Sequence, residues 1–330
     1  MAYSEEILRR ARYRLDQAKA ERERENEEHL QIAYERFPRL RQIDRELRMN
    51  MVELAAITLR SEESPTLTVS QIRDKNLALQ REREWIIEAG DFEEGYLDDS
   101  PVCSKCGGNG YYGAKMCSCL KELCRQEQKK ELTSLIGSGK ETFDNFRLDV
   151  YPDQYDHTIG TTPRTLMAQN LRTCRNFAAN FGENSGNLLF SGMTGLGKTF
   201  LSACIARQVA DRGFSVVYET AIQIFEDFEK AKFGSSTEEG RSMIKKYFDA
   251  DLLIIDDLGS EMTTNFTISA LYRIVNSRLM ENRSTIISTN LDTTAFEQWY
   301  NAQISSRVLG GYQVMIFKGN DLRRRNGGFR

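Results

Sequence analysis

Apolar residues in the first 60 positions recur every three or four residues: Ile7, Ala11 and Leu15, then Leu40, Ile43, Leu47, Met51 and Leu54. That period predicts long helix, and Pro38 divides it in two. The segment 61–68 (SEESPTLT) breaks the pattern, and a further helical stretch follows over about 70–88. Between 103 and 124 the texture changes to Cys, Gly and Lys. From about Glu141 short apolar runs alternate with helical stretches, which predicts a parallel α/β sheet. The runs expected as strands are 187–190, 215–218, 252–255, 285–288 and 313–317.

Charge changes the picture of the N-terminal helices. Through position 60 there are 13 basic and 12 acidic residues, a solvated, salt-bridged surface rather than a phosphate-binding arm. Two readings stand: a helical hairpin that meets a protein partner, or a self-packed hairpin with a decorated outer face. The whole chain of 330 residues carries 45 basic and 48 acidic groups, a net charge of -3. A globally basic nucleic-acid coat is excluded, so any contact with DNA must be a local patch. The longest apolar runs, such as 252–255, fall far short of the ~20 residues of a membrane span. The start, MAYSEEILRRAR, lacks the apolar core of a secretory signal, so a cytoplasmic protein without membrane contact is expected. Seven cysteines in a reducing compartment argue for metal binding or catalysis before disulfides.

The strongest motif is Gly192-Met193-Thr194-Gly195-Leu196-Gly197-Lys198-Thr199, a complete G-x-x-x-x-G-K-T between an apolar strand and a helical run. A glycine-rich turn into a helix N-terminus presents backbone N–H groups to phosphates. Lys198 is expected to serve the β- and γ-phosphates of ATP or ADP, and the Thr199 hydroxyl to ligate Mg²⁺. Some 55 residues on, the strand 252–255 ends in Asp256-Asp257. A buried parallel strand delivers such carboxylates to the sheet edge where ligands bind. Asp256 is expected on the metal side, and Asp257 to orient or deprotonate the attacking water, with slow turnover because Asp reaches one methylene less far than Glu. Asn290 closes the strand TIISTN, either holding the nucleophilic water or making an Asx turn. Arg307 is a candidate finger into a neighbouring subunit's site, and Arg323 a candidate γ-phosphate contact in cis.

Cys103, Cys106, Cys117 and Cys119 offer two pairs of thiolates on short turns, the donor set of a closed tetrahedral Zn²⁺ site. Cys124 is a fifth candidate in place of Cys119. CSKCGGNG also fits one C-x-x-C-x-G-x-G unit of J-type chaperones, and a redox C-x-x-C would need a βαβ frame that this segment lacks. Cys174 and Cys204 read as ordinary buried thiols.

These segments resemble the AAA+ ATPases, and within them the bacterial replicative helicase loaders of the DnaC/DnaI type. GMTGLGKTFLSACIA is similar to the Walker A segment, LLIIDDLGSE to Walker B, TIISTNL to the sensor 1 strand, and ISSRV to the arginine-finger helix with Arg307. FKGNDLR is similar to the segment carrying the sensor 2 arginine, here Arg323. Upstream, REREWIIEAGDFEEGYLDDSPVCSKCGGNGYYGAKMCSC resembles the helix and zinc-binding region of Firmicute-type loaders, and ETFDNFRLDVYPD their lead-in to the ATPase core. These flanking matches separate the chain from IstB-like transposition helpers, which share the ATPase motifs. Asp257 departs from the Glu of most AAA+ proteins, although paired Asp is familiar among loader-like and IstB-like members.

The resemblance implies an α/β AAA+ P-loop core with a central parallel sheet over 126–330, a zinc-binding segment over 99–125 and a helical helicase-interaction domain over 1–98. The sequence runs seven residues past Arg323, so no C-terminal helical lid is expected. The implied activity is an ATPase, stimulated by DNA or partner, that places a DnaB-type helicase hexamer on single-stranded DNA and self-associates through its AAA+ domain. The alternatives are a transposase helper or a nucleotide-sensing adaptor with little turnover. A basic, aromatic DNA groove is then expected, with Lys230, Lys232, Lys245, Lys246, Phe228, Phe233 and Tyr247 as candidates against the alternative of a solvated helix with core aromatics. The basic end, 323–330, is a further DNA candidate or a frayed tail.

Overall fold

The computed structural model describes residues 3–59, 66–93, 95–136, 141–233 and 237–322. The chain forms two compact units, Arg14–Cys117 and Met1–Tyr13 together with Ser118–Arg330.

Helices dominate the first of these. It holds most of α1 (Glu5–Arg36), then α2 (Pro38–Leu59) and α3 (Thr66–Ala89). Pro38 is the first residue of α2, where a missing N–H costs nothing and the ring presets the helical φ. The sequence break expected over 61–68 falls mostly outside the described residues. Leu40 and Ile43 pack with Ala33, Leu79 and Ile86, so the three-to-four spacing is the buried stripe of a helical cluster. Asn50, itself buried, donates its side-chain amide to Asn76 Oδ1 at 2.6 Å. After the helices, β1 (Tyr111–Tyr112) and β2 (Lys115–Met116) pair antiparallel between the two cysteine pairs.

The larger unit contains α4 (Ser118–Ile136), α5 (Pro163–Ala179), β3 (Leu188–Ser191), α6 (Lys198–Asp211), β4 (Val216–Thr220), α7 (Ala221–Phe233) and α8 (Thr237–Asp249). It continues through β5 (Leu252–Leu258), α9 (Asn265–Met280), β6 (Ser284–Thr289), α10 (Thr293–Trp299), α11 (Ala302–Gly311) and β7 (Gln313–Ile316). All five expected strands form, as one parallel sheet of order β4-β5-β6-β3-β7. Helices cover both faces, which is why β3 and β6 are buried at every position, with apolar centres at Leu188–Phe190 and Ile286–Ile287. Phe190, Leu201, Leu252 and Ile254 belong to the core on one side, and Ile255, Leu271, Ile274 and Ile287 to the core on the other. This order brings the ends of β3, β5 and β6 together at one edge of the sheet. Among the described residues no helix is long and apolar enough to cross a membrane.

Candidate nucleotide site and metal centre

The chain leaves β3 at Ser191, turns through Gly192–Gly197 and enters α6 at Lys198. Gly197 caps α6 with φ +88°, and a Cβ there would meet the Tyr151 hydroxyl at 2.9 Å. At Gly195, with φ +76°, the Asp321 carboxylate already occupies the Cβ position. Both positions therefore require glycine. The turn is braced from outside: Tyr151 donates its hydroxyl to Leu196 O at 2.9 Å, and the Leu322 N–H donates to Gly195 O at 3.0 Å. Leu196 anchors the turn in the core, while Met193 and Thr194 are exposed. The backbone N–H groups and the dipole of the α6 N-terminus suit a phosphate at this turn.

The Lys198 ammonium donates to Gly192 O at 2.5 Å, Met193 O at 2.8 Å and Asn290 Oδ1 at 2.9 Å. Asp256 is buried, and hydroxyls reach both of its carboxylate oxygens. Thr199 donates to Oδ1 at 3.4 Å, Ser288 donates to the same oxygen, and Tyr218 donates to Oδ2 at 2.8 Å. Burial, reinforced by the neighbouring Asp256 charge, holds the Tyr218 phenol well above its ordinary pKa, so it remains a donor. Asp257 takes φ +57° where the β5–β6 pairing shifts register between Ile255 and Leu258. The bulge carries its carboxylate to Asn290, whose amide donates to Oδ1 at 2.8 Å. Lys198, Thr199, Asp256, Asp257 and Asn290 thus meet in one hydrogen-bonded cluster.

Arg307 does not join them. It lies on α11, donates from Nε to Asn276 Oδ1 at 2.9 Å and stacks 4.8 Å above the Tyr272 ring. Arg323 lies outside the described residues. Four residues of the site were not singled out in the sequence: Tyr151, Tyr218, Ser288 and Asp321. Only Ser288 had a local signal, a hydroxyl inside the apolar strand that ends in Asn290.

The candidate DNA groove loses its aromatic half. Phe228 and Tyr247 are buried in the core, where the Tyr247 hydroxyl donates to Asp227 at 2.6 Å, and the side chain of Phe233 lies outside the described residues. Spacing suits a stacking platform and a core equally; burial decides for the core. Lys246 is committed to Glu219 at 3.2 Å and Asp227 at 3.4 Å. Lys230 and Lys245 pair along their own helices with Glu226 and Asp249 but stay exposed. Lys232, also exposed, sits 5.0 Å from the Phe266 ring centre.

The sulfurs of Cys103, Cys106, Cys117 and Cys119 all lie within 4.8 Å of one another. Cys103 and Cys117 are 3.8 Å apart, against about 3.8 Å for the edge of a tetrahedron whose thiolates sit about 2.3 Å from a central ion. The Gly110 N–H donates to Cys106 Sγ at 3.3 Å and the Cys117 N–H to Gly110 O at 2.8 Å, the backbone of a knuckle. The donor set fits a metal ion. Cys124 is outside the group: it is buried in α4, and burial pushes its thiol up to about 11. Cys174 and Cys204 are buried as expected, and burial raises both thiols, Cys204 to about 12.

A family model described as IstB-like ATP binding protein matches residues 147–326. The replicative helicase loader DnaC of Buchnera aphidicola subsp. Acyrthosiphon pisum is 23% identical over 207 residues, 62% of this chain and 80% of that one. The same-named protein of Escherichia coli K12 is 27% identical over 156 residues, 47% of this chain and 63% of its own length. Among solved structures, a crystal structure of the DnaC helicase loader is similar at a TM-score of 0.43 and 22% identity, covering 53% of this chain and 98% of that one.

Proposed function

This chain belongs to the IstB-like ATP-binding protein family, and on that premise we propose that it is an ATP-dependent loader of the replicative DNA helicase. It binds the helicase hexamer, delivers it onto single-stranded DNA in replication initiation or restart, and hydrolyses ATP to reset the complex in the cytoplasm. The observation that carries the chemistry is the cluster of Lys198, Thr199, Asp256, Asp257 and Asn290 at one sheet edge. The distant similarity to DnaC loaders carries the biology.

In this reading residues 192–199 cradle the phosphates of ATP or ADP, and Lys198 leaves its carbonyl partners to neutralise the β- and γ-oxygens. Thr199 and Asp256 hold Mg²⁺, which supplies charge neutralisation at the phosphates. Asp257 orients or deprotonates water, and Asn290 keeps that carboxylate aimed. Arg307, held by Asn276 and Tyr272 on α9 and not part of the Lys198 cluster, serves a neighbouring copy when AAA+ domains assemble. Arg323 serves the γ-phosphate in cis, which the bond from its neighbour Leu322 to Gly195 supports.

Residues 126–330 form the ATPase domain, 99–125 a Zn²⁺ segment closed by Cys103, Cys106, Cys117 and Cys119, and 1–98 the helicase-facing region. DNA contact then rests on exposed lysines such as Lys230, Lys232 and Lys245 and on the phosphate backbone.

The test mixes the full chain with the replicative helicase of its host and measures native complex mass under ATP and under ADP. A complex that forms with ATP supports the loader reading. No association under either nucleotide overturns it, and a transposase as the co-purifying protein would identify a transposition helper instead. Steady-state hydrolysis with and without single-stranded DNA separates an enzyme from a nucleotide-sensing adaptor.

A further inference from the structure

Resting on the ATP reading, we propose that Tyr218 and Ser288 are positioning residues for Asp256: two hydroxyls, one from each strand beside β5, fix the carboxylate so that its Oδ1 faces Thr199.

The hydrogen bonds have only one consistent polarity. The Asp257 N–H donates to Ser288 Oγ at 3.0 Å, which uses an acceptor site of the serine and directs its hydroxyl hydrogen to Asp256 Oδ1. One serine therefore organises both acids of the pair. From the other side, Tyr218 reaches along the sheet from β4, paired in register with Ile254, and donates to Oδ2 at 2.8 Å. Asp256 follows Ile254 by two residues, so both project from the same face of β5. With one hydroxyl on each oxygen the carboxylate cannot rotate freely about Cβ–Cγ. The third hydroxyl, Thr199, approaches Oδ1 at 3.4 Å, longer than an ordinary O–H···O bond and open to exchange for another partner. Mg²⁺ demands near-octahedral geometry and dehydrates reluctantly, so a carboxylate held in advance saves reorganisation when the ion binds.

A purely structural role would satisfy a buried carboxylate and do nothing for the metal. Tyr218→Phe in the full chain separates the two, since it deletes the hydroxyl and keeps the ring. Three quantities are read: binding of a fluorescent ATP analogue in EDTA, Mn²⁺ binding to the protein–nucleotide complex by loss of the free-ion EPR signal, and the Mg²⁺ dependence of hydrolysis. Metal-free nucleotide affinity is expected to stay unchanged, while the Mn²⁺ dissociation constant and the half-saturating Mg²⁺ concentration rise about 10-fold. Unchanged metal affinity in a folded variant overturns the proposal and leaves the hydroxyl as packing. Should Tyr218→Phe not fold, Ser288→Ala is measured in the same way, and unchanged Mn²⁺ affinity there overturns it too. A parent protein that binds no ATP in any condition would instead refute the ATP reading, and the proposal would fall with it.

Discussion

Asn290 holds Asp257 through its amide nitrogen at 2.8 Å, while the oxygen of the same amide accepts from Lys198 at 2.9 Å. The orientation of the amide is fixed by chemistry: an ammonium has no acceptor and a carboxylate no donor, so the oxygen must face the lysine. One side chain thus connects Lys198 to Asp257. Asn290→Ala should slow single-turnover ATP hydrolysis by about 10²-fold, the scale of removing one preorganised donor, with ATP affinity little changed. Asn290→Asp should instead weaken ATP binding, because its carboxylate competes with the phosphates for Lys198. Equilibrium nucleotide binding alongside rapid-quench hydrolysis distinguishes them; an alanine variant that loses affinity as much as rate would reduce Asn290 to a brace.

Asp257 sits at φ +57°, a conformation that costs most side chains about 1 kcal/mol and glycine almost nothing. Asp257→Gly should therefore be more stable than Asp257→Ala by about 1 kcal/mol, the reverse of their usual order inside regular structure. Both lose the acid and should lose hydrolysis. Urea unfolding of the two variants checks the order, and an alanine variant at least as stable as the glycine one would show that the bulge relaxes without strain.

What the sequence made legible, and what it did not, follows from which distances lie along the chain. The turn at 192–199, the acids just before Leu258 at the end of β5 and the amide after β6 could be read because each lies near or just beyond the end of a strand and shares one sheet edge. Tyr218 could not. Its partner is 38 residues away, and only the lateral order of β4 beside β5 brings them together. Phe228 and Tyr247 were ambiguous for a different reason: aromatic residues among lysines at helical spacing describe both a stacking surface and a helix with a buried stripe. Among the cysteines, spacing favoured Cys119 with Cys124 as a candidate substitute, and the fold brings Cys119 to its three partners while Cys124, farther along α4, is buried away from them.

That distinction gives a prediction for the metal. Protein purified without chelator should hold about one zinc per chain by elemental analysis. Cys119→Ser should lose most of it. Cys124→Ser should keep it and lose stability, by about 1–3 kcal/mol for a hydroxyl buried without a partner. Absence of zinc from the parent would sink the assignment, and equal zinc loss in both variants would make Cys124 a ligand after all.

Residues 3–13, which include the start of α1, belong to the same compact unit as the nucleotide-binding core. The Tyr3 hydroxyl donates to Gly213 O at 3.1 Å, Ile7 and Ala11 are buried, and Arg10 pairs with Glu127 at 3.7 Å and with Glu131. Burying Ile7 contributes about 2 kcal/mol and the tyrosine bond about 1, while the half-exposed arginine pairs add little. A chain beginning at Arg14 should therefore unfold with about 3 kcal/mol less stability of the nucleotide-binding unit, and Ile7→Ala should reproduce most of the loss. Chemical denaturation followed by a nucleotide-binding signal measures this unit directly. An unchanged midpoint would mean that these residues only decorate the surface. A lowered one means that cutting the chain near residue 99 removes part of the ATPase together with the helical region, so a loss of helicase binding in such a truncation would not by itself assign that binding to the helices.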